Sequence, residues 1–273
     1  MELRIKKIII GLSYGLLFGF LSPIPGMSMG TLAIMLNIYD KIFANLSYSI
    51  IKKNAPMVLA VVVGWAIGLM SISNIMVFLF ENYLIPVSFA FIGLVAGCLP
   101  SIYKKAAEQK LEIQHLVVFI LAFGIMVTIA VFGGDMANNR SISEMGGVTP
   151  RVLVWLFVAG TFSSMSMLIP GIGGSLIMIV FGIYNVFLES IATFNLPILG
   201  IFIAAMIIGL SAGAIITKLL LQKYFRMFYS VIGGFIFGSL IFMFPGLVLS
   251  WQMPIAIVLA GICFWASYRL SRA

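Results

Sequence analysis

Two proline-glycine interruptions of apolar sequence hold the residues whose types and spacing could do chemistry. Residues 24–31 read IPGMSMGT, and residues 169–175, at an offset of 145, read IPGIGGS. A short helix is predicted to begin near Ser28 and another near Ser175. The N-terminus of a helix leaves backbone N–H groups unpaired and carries about half a positive charge. Two such ends meeting in apolar surroundings predict a site that binds an anion.

Glycines in both interruptions would let a ligand approach the backbone, and hydroxyl groups would add hydrogen-bond donors. The candidate anion-binding residues are Gly26, Ser28, Gly30, Thr31, Gly171, Gly173, Gly174 and Ser175. The alternative is that these residues only cap and pack their helices. Paired interruptions at corresponding positions favour binding, because membrane carriers build their sites from such broken helices.

Enzyme chemistry has little support in the sequence. No two carboxylates share one apolar segment, and the lone histidine, His115, has no nucleophile nearby in the chain. The two cysteines, Cys98 and Cys263, do not have the spacing of metal ligands. We therefore expect no catalytic residue, no metal, no cofactor and no enzymatic activity.

The composition is that of an integral membrane protein. Of 273 residues, 62% are hydrophobic and only 9% are charged. The formal net charge is +8, and the basic residues lie in short loops instead of forming one domain. This distribution is typical of the loops between membrane spans and not of a surface that binds nucleic acid. The bilayer is therefore the expected environment.

The chain also contains an internal duplication. At the offset of 145, Gly15 pairs with Gly160, Gly64 with Gly209, Gly68 with Gly213, Gly93 with Gly238 and Pro100 with Pro245. We predict an all-α polytopic membrane protein of two inverted-topology repeats, each with a re-entrant broken helical segment and three transmembrane helices. A duplication of this kind points to a transporter.

Apolar runs set the predicted boundaries. Repeat one is 1–134, with re-entrant helices at about 5–51 and spans at about 55–80, 84–103 and 113–132. An extracytoplasmic linker follows at 135–151. Repeat two is 152–273, with re-entrant helices at about 152–188 and spans at about 196–217, 228–244 and 254–268. The short helix of the first interruption should run roughly 11 residues, to about Tyr39. That of the second should run from about Ser175 to Leu188.

Basic residues decide the expected orientation. If each broken segment enters and leaves on one side, 14 of the 16 Lys and Arg residues share a face, which is therefore cytoplasmic. The same parity places both termini in the cytoplasm and inverts the second repeat relative to the first. Broken segments that cross fully twice would give the same parity, so that alternative stays open.

Four charged residues near the outer face are candidates for headgroup binding or proton coupling. Arg140 and Arg151 are the two cations outside the cytoplasmic set, and either could attract an anionic headgroup. Glu81 and Glu189 are either ordinary interface carboxylates or proton carriers coupled to transport.

These features resemble the bacterial polyprenyl-phosphate (undecaprenyl-phosphate) transporter family, formerly a membrane family of unknown function. The residues that carry the resemblance are 24–31, 38–40, 169–171, Ser175 and 182–184. In size and hydropathy it covers nearly the whole chain. The family pattern has glycine where this chain has Met29, and serine where it has Gly173.

The resemblance implies a carrier in the bacterial cytoplasmic membrane. It would return undecaprenyl phosphate from the outer to the inner leaflet by alternating access, for the synthesis of peptidoglycan and other envelope polymers. The phosphate would occupy the site while the prenyl tail stays in lipid. Two alternatives are a membrane phosphatase that acts on polyprenyl pyrophosphate and an exporter of a small soluble anion.

Overall fold

The computed structural model describes residues 2–21, 28–37, 39, 55–107, 112–136, 145, 147–246 and 251–272. Within these ranges every regular element is a helix, which confirms the predicted all-α fold. The helices are α1 (Glu2–Leu21), α2 (Met29–Met35), α3 (Ala55–Ala96), α4 (Leu99–Ala106), α5 (Ile113–Met136), α6 (Pro150–Ser166), α7 (Gly174–Val180), α8 (Tyr184–Ala192), α9 (Leu196–Lys223), α10 (Phe225–Met243) and α11 (Met253–Leu270).

Several of these helices are apolar over a length that suits a membrane. In the part of the chain that the structure describes, three helices are long and apolar enough to cross one: Phe78–Ala106, Leu196–Lys223 and Met253–Leu270. The pair α7 and α8 passes the same test when counted together, and it is bent by 115°. Because about 20 apolar residues span a bilayer, these helices agree with the expected polytopic membrane protein.

Single tyrosines separate the first and second predicted spans of both repeats. Tyr83 interrupts α3 with φ −135° and ψ 40°, and Tyr224 separates α9 from α10 with φ −134° and ψ 40°. Pro86 explains the first break, because it offers no N–H to the carbonyl of Asn82 one turn earlier. That carbonyl accepts the side-chain amide of Gln252 at 3.4 Å. The two spans of each repeat are therefore joined directly, without a loop.

Glycines at corresponding positions bring helices together in both repeats. A Cβ at Gly15 or Gly64 would collide with the backbone of the facing helix, so α1 and α3 pack at close range. A Cβ at Gly209, the counterpart of Gly64, would collide with the backbone of Thr161, so α6 and α9 pack in the same way. Small residues permit such close approach between helices in membranes. The glycine pairing of the sequence therefore recurs in the packing.

These contacts also give the direction of the paired helices. Gly209 faces Thr161 and Gly213 faces Met165, so the contact positions advance together and α6 runs parallel to α9. Parallel neighbours require the chain between them to return to its starting end, and residues 167–195 make that return. The helices α1 and α3 are parallel by the same criterion.

Contacts divide the chain into two compact units, and each unit takes its last span from the other repeat. The first unit is Met1–Ser101 with Met243–Ala273, and the second is Ile102–Phe242. In the first unit, Gly93 of α3 packs against the backbone of Ala260 in α11. In the second, Gly234 of α10 packs against the backbone of Phe119 in α5. Both predicted repeats thus contribute to both units.

Candidate anion-binding site

The two interruptions have the same local structure at the offset of 145. Ser28 is the N-cap of α2 and Gly173 is the N-cap of α7, both with extended backbone, and each helix has 7 residues. Each helix is followed by a residue with left-handed backbone, Asn37 (φ 53°) and Gly182 (φ 67°). Glycine and asparagine adopt this conformation most readily. The repeated motif therefore encodes a helix with the same start and the same end.

The first interruption is capped by its own hydroxyl groups. The backbone N–H of Thr31 donates to Ser28 Oγ at 3.2 Å, and that of Ser28 donates to Thr31 Oγ1 at 3.4 Å. This reciprocal capping box satisfies two donors, and both side chains are buried. The N–H groups of Met29 and Gly30 have no acceptor among the described residues. Gly26 lies outside those residues.

The second interruption has no side-chain cap. Gly173 has no side chain to cap α7, and a Cβ there would meet only Ser175 Oγ, at 3.5 Å. Ser175 is exposed. Within the described ranges, the Ser175 hydroxyl and the N–H groups of Gly174 and Ser175 have no hydrogen-bond partner. The segment from Gly173 to Ser175 therefore offers a hydroxyl and two amides to a ligand.

Packing explains the other two glycines of the second interruption. Gly171 has φ 88°, and a Cβ there would lie 2.7 Å from the backbone nitrogen of Ile236 in α10. Gly174 faces α6, where the buried Ser163 hydroxyl donates to the Gly174 carbonyl at 2.6 Å. Ser163 is not among the site residues predicted from the sequence. The one signal for it is that it is a polar residue in a largely apolar helix.

The single helix predicted over about 175–188 is in fact two helices. Gly182 ends α7: its N–H donates to the Ile179 carbonyl and the Ile183 N–H donates to the Met178 carbonyl, each at 2.9 Å. This is a Schellman motif, which places a left-handed residue at the position of Gly182. The helix α8 then runs at 115° to α7.

The first short helix also ends earlier than the roughly 11 residues expected. It stops at Met35 because Asn37 adopts left-handed backbone. Helices of two turns align few peptide dipoles, so the half charge expected at the end of a longer helix is reduced. The donors that an anion would meet are therefore individual N–H and hydroxyl groups.

The helices α6, α7 and α8 form a hairpin that returns to the end where it began. Val152 and Leu156, near the start of α6, share a buried cluster with Ile183 and Val186, near the start of α8. The Ser163–Gly174 hydrogen bond lies at the opposite end of α6. The interruption is therefore the turn of the hairpin, and apolar packing holds the hairpin's open end together.

Three of the four charged candidates lie in described residues. Glu81 is exposed, two residues before the break in α3. Arg151 is exposed in the first turn of α6, and Glu189 is half-buried one turn after Val186. Arg151 and Glu189 thus flank the same apolar cluster. Arg140 lies outside the described residues, and within them no three potential metal ligands come together.

Comparison with known proteins agrees with these features. A family model described as undecaprenyl phosphate translocase-like matches residues 18–255, which include both interruptions. A polyprenyl-phosphate transporter of Staphylococcus aureus is 28% identical over 280 residues, covering 96% of this chain and 96% of the relative. One of Vibrio cholerae is 24% identical over 256 residues, covering 88% and 79%. No solved structure matches the chain.

The match confirms the family predicted from the two interruptions. It also agrees with the expectation of a transporter instead of an enzyme, since the family is described as translocase-like. The chain belongs to the undecaprenyl phosphate translocase-like family.

Proposed function

We propose that the chain carries undecaprenyl phosphate, or a closely related polyprenyl phosphate, from the outer to the inner leaflet of the bacterial cytoplasmic membrane. The observation that carries the proposal is the uncapped start of α7 at the turn of a hairpin, where the exposed Ser175 offers its hydroxyl. The names of the relatives supply the lipid. Returned lipid would serve the synthesis of peptidoglycan and other envelope polymers.

The phosphate is the part of this lipid that is costly to move. An ion that leaves water for a low-dielectric interior loses several kcal/mol of hydration even after relaxation. The hydroxyl of Ser175 and the N–H groups of Gly174 and Ser175 would replace part of that hydration. Hydrogen bonds to a charged acceptor are shorter and stronger than those to a neutral one.

Repeat one would supply the matching donors. These are the N–H groups of Met29 and Gly30, at a helix start that the Ser28–Thr31 capping box fixes. Both interruptions contain the sequence Ile-Pro-Gly. The residues that we propose to bind phosphate are therefore Gly26, Ser28, Gly30 and Thr31 in the first interruption, and Gly171, Gly173, Gly174 and Ser175 in the second.

We also propose that both broken segments are re-entrant and that the repeats are inverted. The parallel packing of α6 with α9, and of α1 with α3, supports the inversion, because the chain between each pair returns and three predicted spans then carry it to the other side. The basic residues then place both termini in the cytoplasm. Rocking of one repeat against the other would expose the phosphate site to each side in turn.

The charged candidates would recruit the headgroup and couple transport to protons. Arg140 and Arg151 would attract the phosphate at the outer face. The proton would be carried by Glu189, at the open end of the hairpin, or by Glu81 in repeat one. Transport that is unchanged by an imposed pH gradient would remove the proton-carrier role.

Transport in proteoliposomes tests the proposal. Purified protein should speed the movement of a fluorescent polyprenyl phosphate between leaflets relative to vesicles without protein; equal rates would overturn the proposal. The same vesicles test the two alternatives. Release of inorganic phosphate from polyprenyl pyrophosphate would indicate a phosphatase, and efflux of trapped phosphate ion would indicate an exporter of a soluble anion.

A further inference from the structure

Three aromatic rings form a half-exposed strip along the hairpin of repeat two. Trp155 and Phe162 of α6 are 42% and 50% exposed, and both contact Phe181 just after α7. Trp155 meets Phe181 edge-on with ring centroids 5.5 Å apart, and Phe162 stacks on Phe181 at 6.1 Å. Val158, 37% exposed, lies between the two α6 rings on the same helix face. We call these four residues the aromatic strip.

We propose that the aromatic strip binds the isoprenoid tail of the lipid, an inference that rests on the proposed function. The strip ends close to the proposed phosphate site along α6, because Phe162 is one residue before Ser163, whose hydroxyl donates to the Gly174 carbonyl. From Phe162 the strip follows α6 to Trp155, about 10 Å at 1.5 Å per residue. A tail attached to a phosphate at the hairpin turn would lie along it.

Repeat one shows that the helix geometry does not require aromatic rings at these positions. At the offset of 145, Ile10, Leu17 and Leu36 stand where repeat two has Trp155, Phe162 and Phe181. Ile10 and Leu17 are 38% and 37% exposed, so these positions face outward in both repeats. At these three positions, therefore, only the second predicted repeat has aromatic rings.

An aromatic belt at the membrane surface does not account for the strip. It would explain Trp155, near the start of α6, but not Phe162, two turns farther along the helix. Lipid tails are as apolar as leucine, so burial alone gives no preference for one tail over another. Preference must come from shape. The three rings of the strip fix each other's orientation. Their flat faces can pack on the planar double bonds of an isoprenoid more closely than on a saturated acyl chain.

The triple substitution W155I/F162L/F181L tests the inference, because it installs the side chains of repeat one. The concentration of undecaprenyl phosphate that gives half-maximal transport should rise about tenfold, because one to two aromatic contacts are lost. Hexadecyl phosphate, whose saturated tail has no planar double bonds, should be transported almost as before. The matched control F264L/W265I removes exposed rings of α11, and it should change neither lipid.

Each outcome decides the inference. Equal loss for both lipids would show that the rings only support the hairpin, and no change for either would show that the tail does not touch them. Both results overturn the inference and leave the proposed function intact. Failure of the unaltered protein to move either lipid would overturn the proposed function and the inference with it. If the triple variant does not fold, F162L alone gives the same comparison.

Discussion

At the scale of residues, the two interruptions use their polar groups differently. Ser28 and Thr31 are buried and cap α2, whereas Ser175 is exposed and its hydroxyl has no hydrogen-bond partner in the described ranges. Gly173 occupies the position of Ser28 and has no hydroxyl, so no capping box forms in repeat two. The sequence predicted both serines as ligands alike, because a motif does not show whether a hydroxyl bonds to its own backbone.

The change Ser175→Ala should weaken lipid binding without affecting stability. A hydrogen bond to a charged group contributes about 1.5–3 kcal/mol, which corresponds to a rise in Kd of roughly tenfold to hundredfold. Titration of purified protein with polyprenyl phosphate measures the change. The control is Ser211→Ala, whose hydroxyl bonds to the Ile207 carbonyl of its own helix. Equal affinity of the Ser175 variant and the control would exclude Ser175 as a ligand.

The change Ser28→Ala should act first on stability. Loss of an N-cap costs about 0.5–2 kcal/mol, so Tm should fall, whereas Ser28→Thr keeps the cap and should fall less. Thermal unfolding in detergent measures both variants. If the Ser28→Ala variant has the same Tm as the unaltered protein, the capping role is contradicted.

At the scale of elements, the spacing predicted helix starts better than helix ends. The predicted start near Ser28 matches the N-cap of α2, and the predicted start near Ser175 lies two residues after Gly173, the N-cap of α7. Both starts follow a proline and a glycine, which interrupt helices by local sterics. The ends were missed at Asn37 and Gly182, where one left-handed residue outweighs apolar sequence that continues past it. Which span packs against which was also beyond the sequence, since α5 and α11 each pack in the unit built on the other repeat.

The change Gly209→Ala should destabilise the packing of α6 against α9. The added Cβ would meet the backbone of Thr161 and the side chain of Ser164, and overpacking of this kind costs about 1–3 kcal/mol. Gly200→Ala is the matched control in the same helix, because nothing lies within 4 Å of its Cβ. That control should be neutral or gain up to about 1 kcal/mol. Similar Tm values for the two variants would argue against close packing at Gly209.

At the scale of the whole molecule, each compact unit combines parts of both predicted repeats. Each compact unit holds the broken segment and first two spans of one repeat with the third span of the other. Equivalent exchanges in both units are what a duplicated ancestor would leave. The orientation of these repeats in the membrane comes from the basic residues alone, so it is tested separately.

Cysteine labelling from outside the cell tests the orientation. Val148→Cys, at a position 51% exposed within the predicted outer linker, should react with a membrane-impermeant maleimide in intact cells. Arg272→Cys should react only after the membrane is opened. A Cys263→Ala background removes the half-buried native thiol, and Cys98 is buried. The reverse labelling pattern would invert the proposed topology.

The central claim is that the interruptions hold the phosphate of a polyprenyl phosphate. The most direct test is cross-linking in proteoliposomes with a polyprenyl phosphate that carries a photoreactive group beside the phosphate, followed by mapping of the modified peptides. Modification should concentrate at residues 173–175 and 28–31, and excess unlabelled undecaprenyl phosphate should suppress it. Modification that is spread over the outer faces of α9 and α11, or that the unlabelled lipid does not suppress, would contradict the claim.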